Sequence, residues 1–255
     1  MLLALAGGNG VAVEMAHANP AEQTAGTGRE FGAESGVASG FEKRVDPKPA
    51  NNVVSQKTSA VPFETMPDGR IRIGLVTLDK AKREISFPAK INMREGLVEY
   101  AVVTSAGKVH ESVFVTDASP THLHLAALLL KMCRIDVQGA PPQISIFVDA
   151  PCSGSVKCES LDKYIVYAKD NPEGLSGATL PPTAWNYSGA LLNGGNVSAE
   201  SEGSIISLIS DATALISNPR EGRLDDTLHL PNSRMLSEVG LPVVIRFRSF
   251  EATEK

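Results

Sequence analysis

Two kinds of segment are missing from this sequence. The longest apolar run, Leu123–Leu130 with its flanks, is far shorter than the roughly 20 residues that a membrane-spanning helix requires. No run of lysine and arginine with interleaved aromatic residues occurs, and the net charge is −5 at pH 7, whereas a nucleic-acid-binding protein usually carries a basic patch. We therefore expect neither a transmembrane helix nor a nucleic-acid partner.

The motifs of several common enzyme classes are missing as well. No G-x-S-x-G sequence is present to form the nucleophile turn of a hydrolase, and no G-x-G-x-x-G sequence follows a predicted strand. Gly189 and the pair Gly194-Gly195 do not match the pattern of a phosphate-binding loop. The sequence therefore contains no complete catalytic set that a motif would identify.

The first 65 residues differ in composition from the rest of the chain. Residues 1–18 resemble the end of a secretory signal with an A-x-A cleavage site at Ala16-His17-Ala18, although the basic start of such a signal is missing. Residues 19–65 are rich in small and polar residues without apolar periodicity, which predicts a disordered linker. We expect an exported protein of the periplasm or cell envelope. The alternative is a cytoplasmic protein with a disordered leader.

Residues 66–251 are predicted to form a single domain. Leu97–Thr104 and Lys108–Thr116 are β-prone and joined by a glycine-containing connection, which predicts a β-hairpin. Asp117 or Ser119 can cap a following helix at about 120–133 that is apolar almost all round. The predicted fold class is α+β, with mainly antiparallel sheet packed against this one principal buried helix. Further strands are predicted at residues 71–78, 83–91, 143–149, 163–168, 203–210 and 242–250. Pro88, inside the second of these, suggests an edge strand or a bulge.

Three of the five histidines lie close together in this domain, at His110, His122 and His124, beside Glu111. Such a cluster can bind a metal ion, transfer a proton or tie a helix to a sheet. In a regular strand His110 and Glu111 point to opposite faces, and in a helix His122 and His124 lie about 200° apart around the axis. The stretch therefore offers about two convergent ligands, whereas a zinc site uses three or four.

Three interpretations of this cluster remain. In the favoured one, Glu111 or His110 hydrogen-bonds a helix histidine or the free amides at the helix N-terminus, where the helix dipole favours a carboxylate. In the second, the cluster is a proton-transfer site or a divalent-metal site that acidic residues or a histidine from late in the chain complete, although these late residues also fit a solvated acidic turn. In the third, the histidines are scattered over the surface. The metal-ligand candidates are His110, Glu111, His124, Asp225, Asp226 and His229.

The remaining chemically reactive side chains are cysteines. Cys152 and Cys158 bracket a short loop, and in an exported protein such a pair predicts a disulfide, whereas in the cytosol it predicts reduced surface thiols. Cys133 lies at the end of the predicted helix and is most simply a small core residue.

A series of short segments follows a recognisable order through residues 70–250. They are Phe87–Asn92, Gly96–Tyr100, Gly107–Ser112, His122–Ala126, Trp185–Gly189, Glu202–Ile206 and Asp225-Asp226. Together they resemble the YdjY-domain proteins, which occur in bacteria and are often exported. The family has no established activity, so the resemblance implies an exported bacterial domain without implying a reaction. The segment Pro151–Glu159 with its two cysteines has no counterpart in the resemblance.

Two functions agree with these observations. The favoured one is a non-catalytic exported module that binds a protein partner or small ligand, or has a structural role, in the cell envelope. The alternative is a metal-dependent enzyme, such as a hydrolase, that uses the region of His110, Glu111 and His124 with a divalent metal. The position of these side chains in the folded protein distinguishes the two.

Overall fold

A computed structural model describes residues 63–133, 139–152, 155–169, 177–189, 192–193 and 196–250. Contacts divide the chain into two units, 1–56 and 57–255, and all of the described residues belong to the second. The predicted signal segment 1–18 and the predicted linker 19–65 lie outside the described residues, except that Phe63–Thr65 forms a strand. Residues 63–65 of the predicted linker therefore belong to the sheet.

Most of the regular secondary structure in the described residues consists of β-strands. In chain order they are β1 (Phe63–Thr65), β2 (Ile71–Ile73), β3 (Val76–Asp79), β4 (Glu84–Ile91), β5 (Tyr100–Thr104), β6 (Ser112–Thr116), β7 (Gln143–Cys152), β8 (Ser155–Ser160), β9 (Ile165–Tyr167), β10 (Trp185–Tyr187), β11 (Leu192–Asn193), β12 (Asn196–Val197), β13 (Ser204–Ser207), β14 (Ile216–Ser217), β15 (His229–Pro231) and β16 (Pro242–Ser249). The helices are α1 (Pro120–Leu129) and α2 (Ser198–Glu202), with 3-10 turns at Val109–Glu111 and Leu161–Tyr164.

Eight of these strands form a closed barrel. Their order around the barrel is β4, β16, β7, β10, β14, β13, β5 and β6, and β6 pairs with β4 to complete the ring. Strands β1 to β3 extend the sheet beside β4, and β8 extends it beside β7. The predicted α+β fold, with a sheet packed against one principal buried helix, is therefore wrong.

The barrel core is filled by the strands themselves. In β16, Val243, Ile245 and Phe247 are buried and alternate with more exposed residues, and the Phe247 ring meets the Phe87 ring of β4 edge to face at 6.4 Å. This period-of-two pattern only requires that one face of each strand be covered. Because a curled sheet can cover that face as well as a helix can, the pattern of a single strand did not distinguish the two folds.

Helix α1 is shorter and more exposed than predicted. It ends at Leu129, and the side chains of Leu128 and Leu129 are about half exposed. The predicted helix start is confirmed, because the Ser119 hydroxyl accepts a hydrogen bond from the His122 amide and Pro120 is the first helical residue. Among residues 63–250, outside the gaps given above, no helix combines the length and apolar character needed to cross a membrane.

The predicted hairpin between β5 and β6 is also wrong, because these strands run parallel. Tyr100 lies opposite Ser112 and Thr104 lies opposite Thr116. Val109–Glu111 forms a 3-10 turn within the segment that returns the chain to the start of β5. The predicted turn residue Gly107 instead packs against the backbone of Gly203, whose φ is 74° and where an added Cβ would lie 2.5 Å from the Gly107 Cα. Glycine at both positions permits this close approach.

A buried ion pair lies beneath the single tryptophan. The Arg220 guanidinium donates to the Asp162 carboxylate, and the exposed fractions of these two side chains are 7% and 5%. The Trp185 indole N–H donates to the same carboxylate at 3.1 Å, and the Arg220 guanidinium lies 5.0 Å from the Trp185 ring centre. Arg220 also donates to the Pro181 carbonyl. This network joins the Leu161–Tyr164 turn, β10 and the segment after β14.

Candidate functional site

His110, which was predicted to lie on a strand, is at the protein surface. His110 and Glu111 belong to the 3-10 turn and not to a strand. The His110 side chain is 82% exposed, and its Nε2 lies 3.8 Å from the Glu111 Oε1. Lys108 Nζ lies 3.5 Å from the same oxygen. The Glu111 carboxylate thus lies beside the Lys108 ammonium and the His110 ring, and within the described residues no hydrogen bond or ion pair joins it to α1.

His124 ties α1 to the barrel, but through a tyrosine that the sequence analysis did not place beside it. Its Nδ1 lies 2.9 Å from the Tyr187 hydroxyl on β10, and the two rings are nearly parallel. The Tyr187 hydroxyl also interacts with the Cys133 thiol. Burial lowers the pKa of His124 and raises the pKa values of Cys133 and Tyr187. All three groups are therefore neutral near pH 7, which favours a structural link over a reactive thiolate.

This link predicts a measurable coupling between α1 and β10. We expect Tyr187→Phe to lower the free energy of unfolding by about 1 kcal/mol, because the half-buried His124 ring nitrogen loses its partner. In a double-mutant cycle with His124→Ala, the coupling free energy should be about 1 kcal/mol. Urea unfolding of the wild type, the two single variants and the double variant measures this coupling. If the losses of the two single variants simply add in the double variant, the link is contradicted.

The amides at the start of α1 are bound by a different carboxylate from the predicted one. Glu200 of α2 accepts hydrogen bonds from the Thr121 amide at 2.8 Å and from the Ser119 hydroxyl at 2.7 Å. The prediction that a carboxylate binds the helix N-terminus has the right chemistry, but Glu111 is the wrong residue. The His122 ring packs over Gly74 in the β2–β3 turn, where an added Cβ would lie 2.5 Å from its Nδ1.

Within the described residues, Asp225, Asp226 and His229 form no metal-binding group with His110, Glu111 and His124. Asp225 accepts hydrogen bonds from the Thr227 amide and hydroxyl and lies 2.8 Å from Lys169 Nζ, and its pKa is lowered to about 2 by the Lys169 hydrogen bond. Asp226 is exposed. His229 is fully buried beside the Tyr167 ring, and within the described part of the chain neither of its ring nitrogens has a hydrogen-bond partner.

The six metal-ligand candidates thus do not converge on one point, although His110 and Glu111 lie beside each other. A search of the described residues finds no group of three or more histidine, cysteine, aspartate or glutamate side chains that could hold a metal ion. His229 lacks a partner because it is enclosed by core residues, and His124 uses its Nδ1 toward Tyr187. The geometric support for the predicted metal site is therefore lost.

The predicted Cys152–Cys158 disulfide is also absent. Cys158 is an exposed, unbridged cysteine, and its Sγ lies 3.2 Å from a guanidinium nitrogen of Arg246. In the β7–β8 pair Cys158 stands opposite Asp149, while Cys152 stands opposite Ser155. The two cysteines are therefore three pairs apart along the ribbon, or roughly 10 Å, which exceeds the Cα separation of a disulfide.

A cleft opens where β4 changes its neighbour. One edge of β4 is paired with β3 over Glu84–Ser86 and with β6 over Lys90 and Ile91, so residues 87–89 pair with neither strand on that edge. Pro88 lies at the centre of this gap and has no N–H group that would need a partner there. Its carbonyl accepts a hydrogen bond from the Thr116 hydroxyl at 2.5 Å. The gap therefore leaves no unpaired backbone group at Pro88.

We refer to the space beside this gap as the seam cleft. Its volume is about 240 Å³, and most of its lining is apolar. Lys90 and Asp117 are exposed residues of the lining, and within the described residues neither side chain forms an ion pair or hydrogen bond. The full lining is Leu75, Pro88, Ala89, Lys90, Ser105, Val115, Thr116, Asp117 and Pro242. The cleft combines an apolar floor with two unpaired charges of opposite sign.

Sequence reasoning indicated the edge at Pro88 but not the cleft. A proline within a β-prone run predicts an interrupted ladder, and the interruption is where the structure places the gap. The other walls come from the β2–β3 turn, β6 and the start of β16. These segments are brought together only by barrel closure, so no local spacing in the sequence could identify them.

Comparisons of the chain with protein-family models, with curated proteins and with solved structures found no match.

Proposed function

We propose that this protein is a non-catalytic binding module that takes a small ligand with an apolar body and an ionised end in the seam cleft. The observation that carries this proposal is the stretch of β4 at residues 87–89 that is unpaired on its β3 and β6 edge, which opens an apolar cleft beside two unpaired charges. A cleft of about 240 Å³ lies below the usual range of drug-sized sites, about 300–1,000 Å³. The ligand is correspondingly small.

The chemistry of the rim defines the ligand class. The Lys90 ammonium attracts a carboxylate, and the Asp117 carboxylate attracts an amine, while Leu75, Ala89 and Val115 cover a branched aliphatic body. A free amino acid with an aliphatic side chain, or the end of a short peptide, presents all of these features. The absence of a convergent catalytic set among the described residues leaves binding as the role that this geometry supports.

The cellular setting is part of the same proposal. The signal-like residues 1–18 support an exported protein of the bacterial cell envelope. The series of short segments in residues 70–250 that resembles YdjY-domain proteins supports the same setting. We do not carry forward the metal-dependent hydrolase, because its candidate ligands do not converge in the described part of the chain.

Three probes that share one aliphatic body test the proposed site. Leucine carries both charges, 4-methylpentanoate carries only the carboxylate and isopentylamine carries only the amine. We expect leucine to bind most tightly of the three and to shift the backbone amide resonances of Ala89, Ser105 and Thr116 in two-dimensional NMR titrations. Lys90→Ala should weaken 4-methylpentanoate binding about fivefold, because an exposed ion pair contributes up to about 1 kcal/mol.

Matched variants distinguish site binding from general charge effects. Asp117→Asn should weaken isopentylamine binding and leave 4-methylpentanoate binding nearly unchanged. Lys80→Ala and Asp226→Asn remove exposed charges outside the cleft lining and should leave all three titrations unchanged. The proposal fails if no probe shifts the cleft resonances, or if the control variants weaken binding as much as the cleft variants do.

A further inference from the structure

The strand β8 is an open edge of the sheet. Among the residues that the structure describes, it pairs with β7 alone, and its first four residues are exposed. The Val156 side chain is 71% exposed. An edge strand of this length presents a row of backbone groups that can pair with another strand.

The outward backbone groups of β8 belong to alternate residues. Just beyond the last β7–β16 pair, the Phe250 amide donates to the carbonyl of Gln143 opposite it, so odd-numbered β7 residues direct their backbone groups toward β16 and even-numbered ones toward β8. The even-numbered β7 residues lie opposite Ser155, Lys157 and Glu159. Ser155, Lys157 and Glu159 then direct their backbone groups toward β7. Those of Val156, Cys158 and Ser160 are directed away from it, toward the open edge.

We propose that β8 pairs antiparallel with β8 of a second copy of this chain, about a two-fold axis at Cys158. In this register the outward groups of Cys158 meet those of the partner's Cys158, and Val156 meets the partner's Ser160. A two-fold arrangement uses the same patch on both copies, as most protein dimers do. The two barrels become joined by a continuous ribbon of β7 and β8 from each copy.

Charge complementarity selects this register. Lys157 and Glu159 flank Cys158 and lie on one face of β8, where their side chains are 2.5 Å apart. Pairing about Cys158 places Lys157 opposite the partner's Glu159 and Glu159 opposite the partner's Lys157. A two-fold register centred on Lys157 or on Glu159 would place like charges opposite each other, which is unfavourable across a strand pair.

Charge reversal on the full-length protein tests the pairing. We expect wild-type protein to form dimers in analytical ultracentrifugation and both Lys157→Glu and Glu159→Lys to raise the dimer dissociation constant at least about tenfold, since each places like charges across the strand pair at two symmetric positions. The doubly reversed variant, Lys157→Glu with Glu159→Lys, should dimerise like wild type. An equimolar mixture of the two single variants should form a mixed dimer.

Two controls separate pairing from effects within one chain. Lys163 also contacts the Glu159 carboxylate, at 2.6 Å, but it lies outside β8, so Lys163→Glu should leave dimerisation unchanged. A short thiol-to-thiol maleimide cross-linker should join two wild-type chains, and Cys158→Ser should remove that product. A wild-type protein that is monomeric at every concentration overturns the proposal. So does a doubly reversed variant that folds, as judged by its circular dichroism, but fails to dimerise.

Discussion

Arg220→Ala is expected to lower the free energy of unfolding by about 3–5 kcal/mol, because it leaves the Asp162 carboxylate buried without its counter-charge. Both side chains are more than nine-tenths buried. The same substitution removes the hydrogen bonds to the Pro181 carbonyl and the guanidinium that covers the Trp185 ring. The remaining donors to the carboxylate, Ser160 Oγ and Trp185 Nε1, are neutral and cannot replace the lost charge.

Urea unfolding followed by tryptophan fluorescence measures this loss directly. Trp185 is the single tryptophan of the chain and contacts both members of the ion pair, so it reports unfolding at the network itself. Arg234→Ala is the matched control, because Arg234 is an exposed arginine whose removal should change the free energy of unfolding by no more than about 0.5 kcal/mol. Equal losses in the two variants would show that the buried pair contributes no more than a surface arginine.

Acid should destabilise the protein through His229, by up to about 3 kcal/mol. Burial and the nearby Arg220 charge lower the pKa of His229 from 6.5 to about 4, so the folded protein holds this ring neutral. The unfolded chain takes up a proton at this histidine below pH 6.5, whereas the folded chain does not until about pH 4. The contribution of the neutral His229 ring to the free energy of unfolding is therefore fully present above pH 6.5 and is progressively lost as the pH falls toward 4.

His229→Phe should remove most of this acid sensitivity. The phenyl ring keeps an aromatic group beside Tyr167, and no hydrogen bond of the ring is lost, because both nitrogens lack partners among the described residues. We expect the difference in free energy of unfolding between variant and wild type to shift in favour of the variant as the pH is lowered through this range. Carboxylates titrate in both proteins and cancel in the difference. A constant difference would show that His229 does not control the acid response.

The sequence predicted local features of the fold and of the candidate sites well where short-range chemistry decides them. Ser119 caps α1 because a hydroxyl at that position reaches the free amide of His122. Pro88 marks a break in the β ladder because it cannot donate a hydrogen bond. A polar tie from α1 was predicted in kind, but with the wrong partners. His124 contacts Tyr187 of β10 and the helix amides contact Glu200 of α2, both far away in sequence.

The amino-acid sequence by itself predicted where α1 begins, the approximate positions of the longer strands and their apolar faces, because these depend on neighbours within a few positions. Short strands such as β10 and β14 were not predicted. Only the tertiary structure decided that the sheet closes into a barrel, that β6 runs parallel to β5 and that β4 leaves a gap at residues 87–89. The reason is that strand pairing joins segments distant in the chain, and a strand's own side-chain pattern specifies its buried face without specifying its neighbour or direction. The seam cleft and the open edge of β8 are products of those long-range pairings.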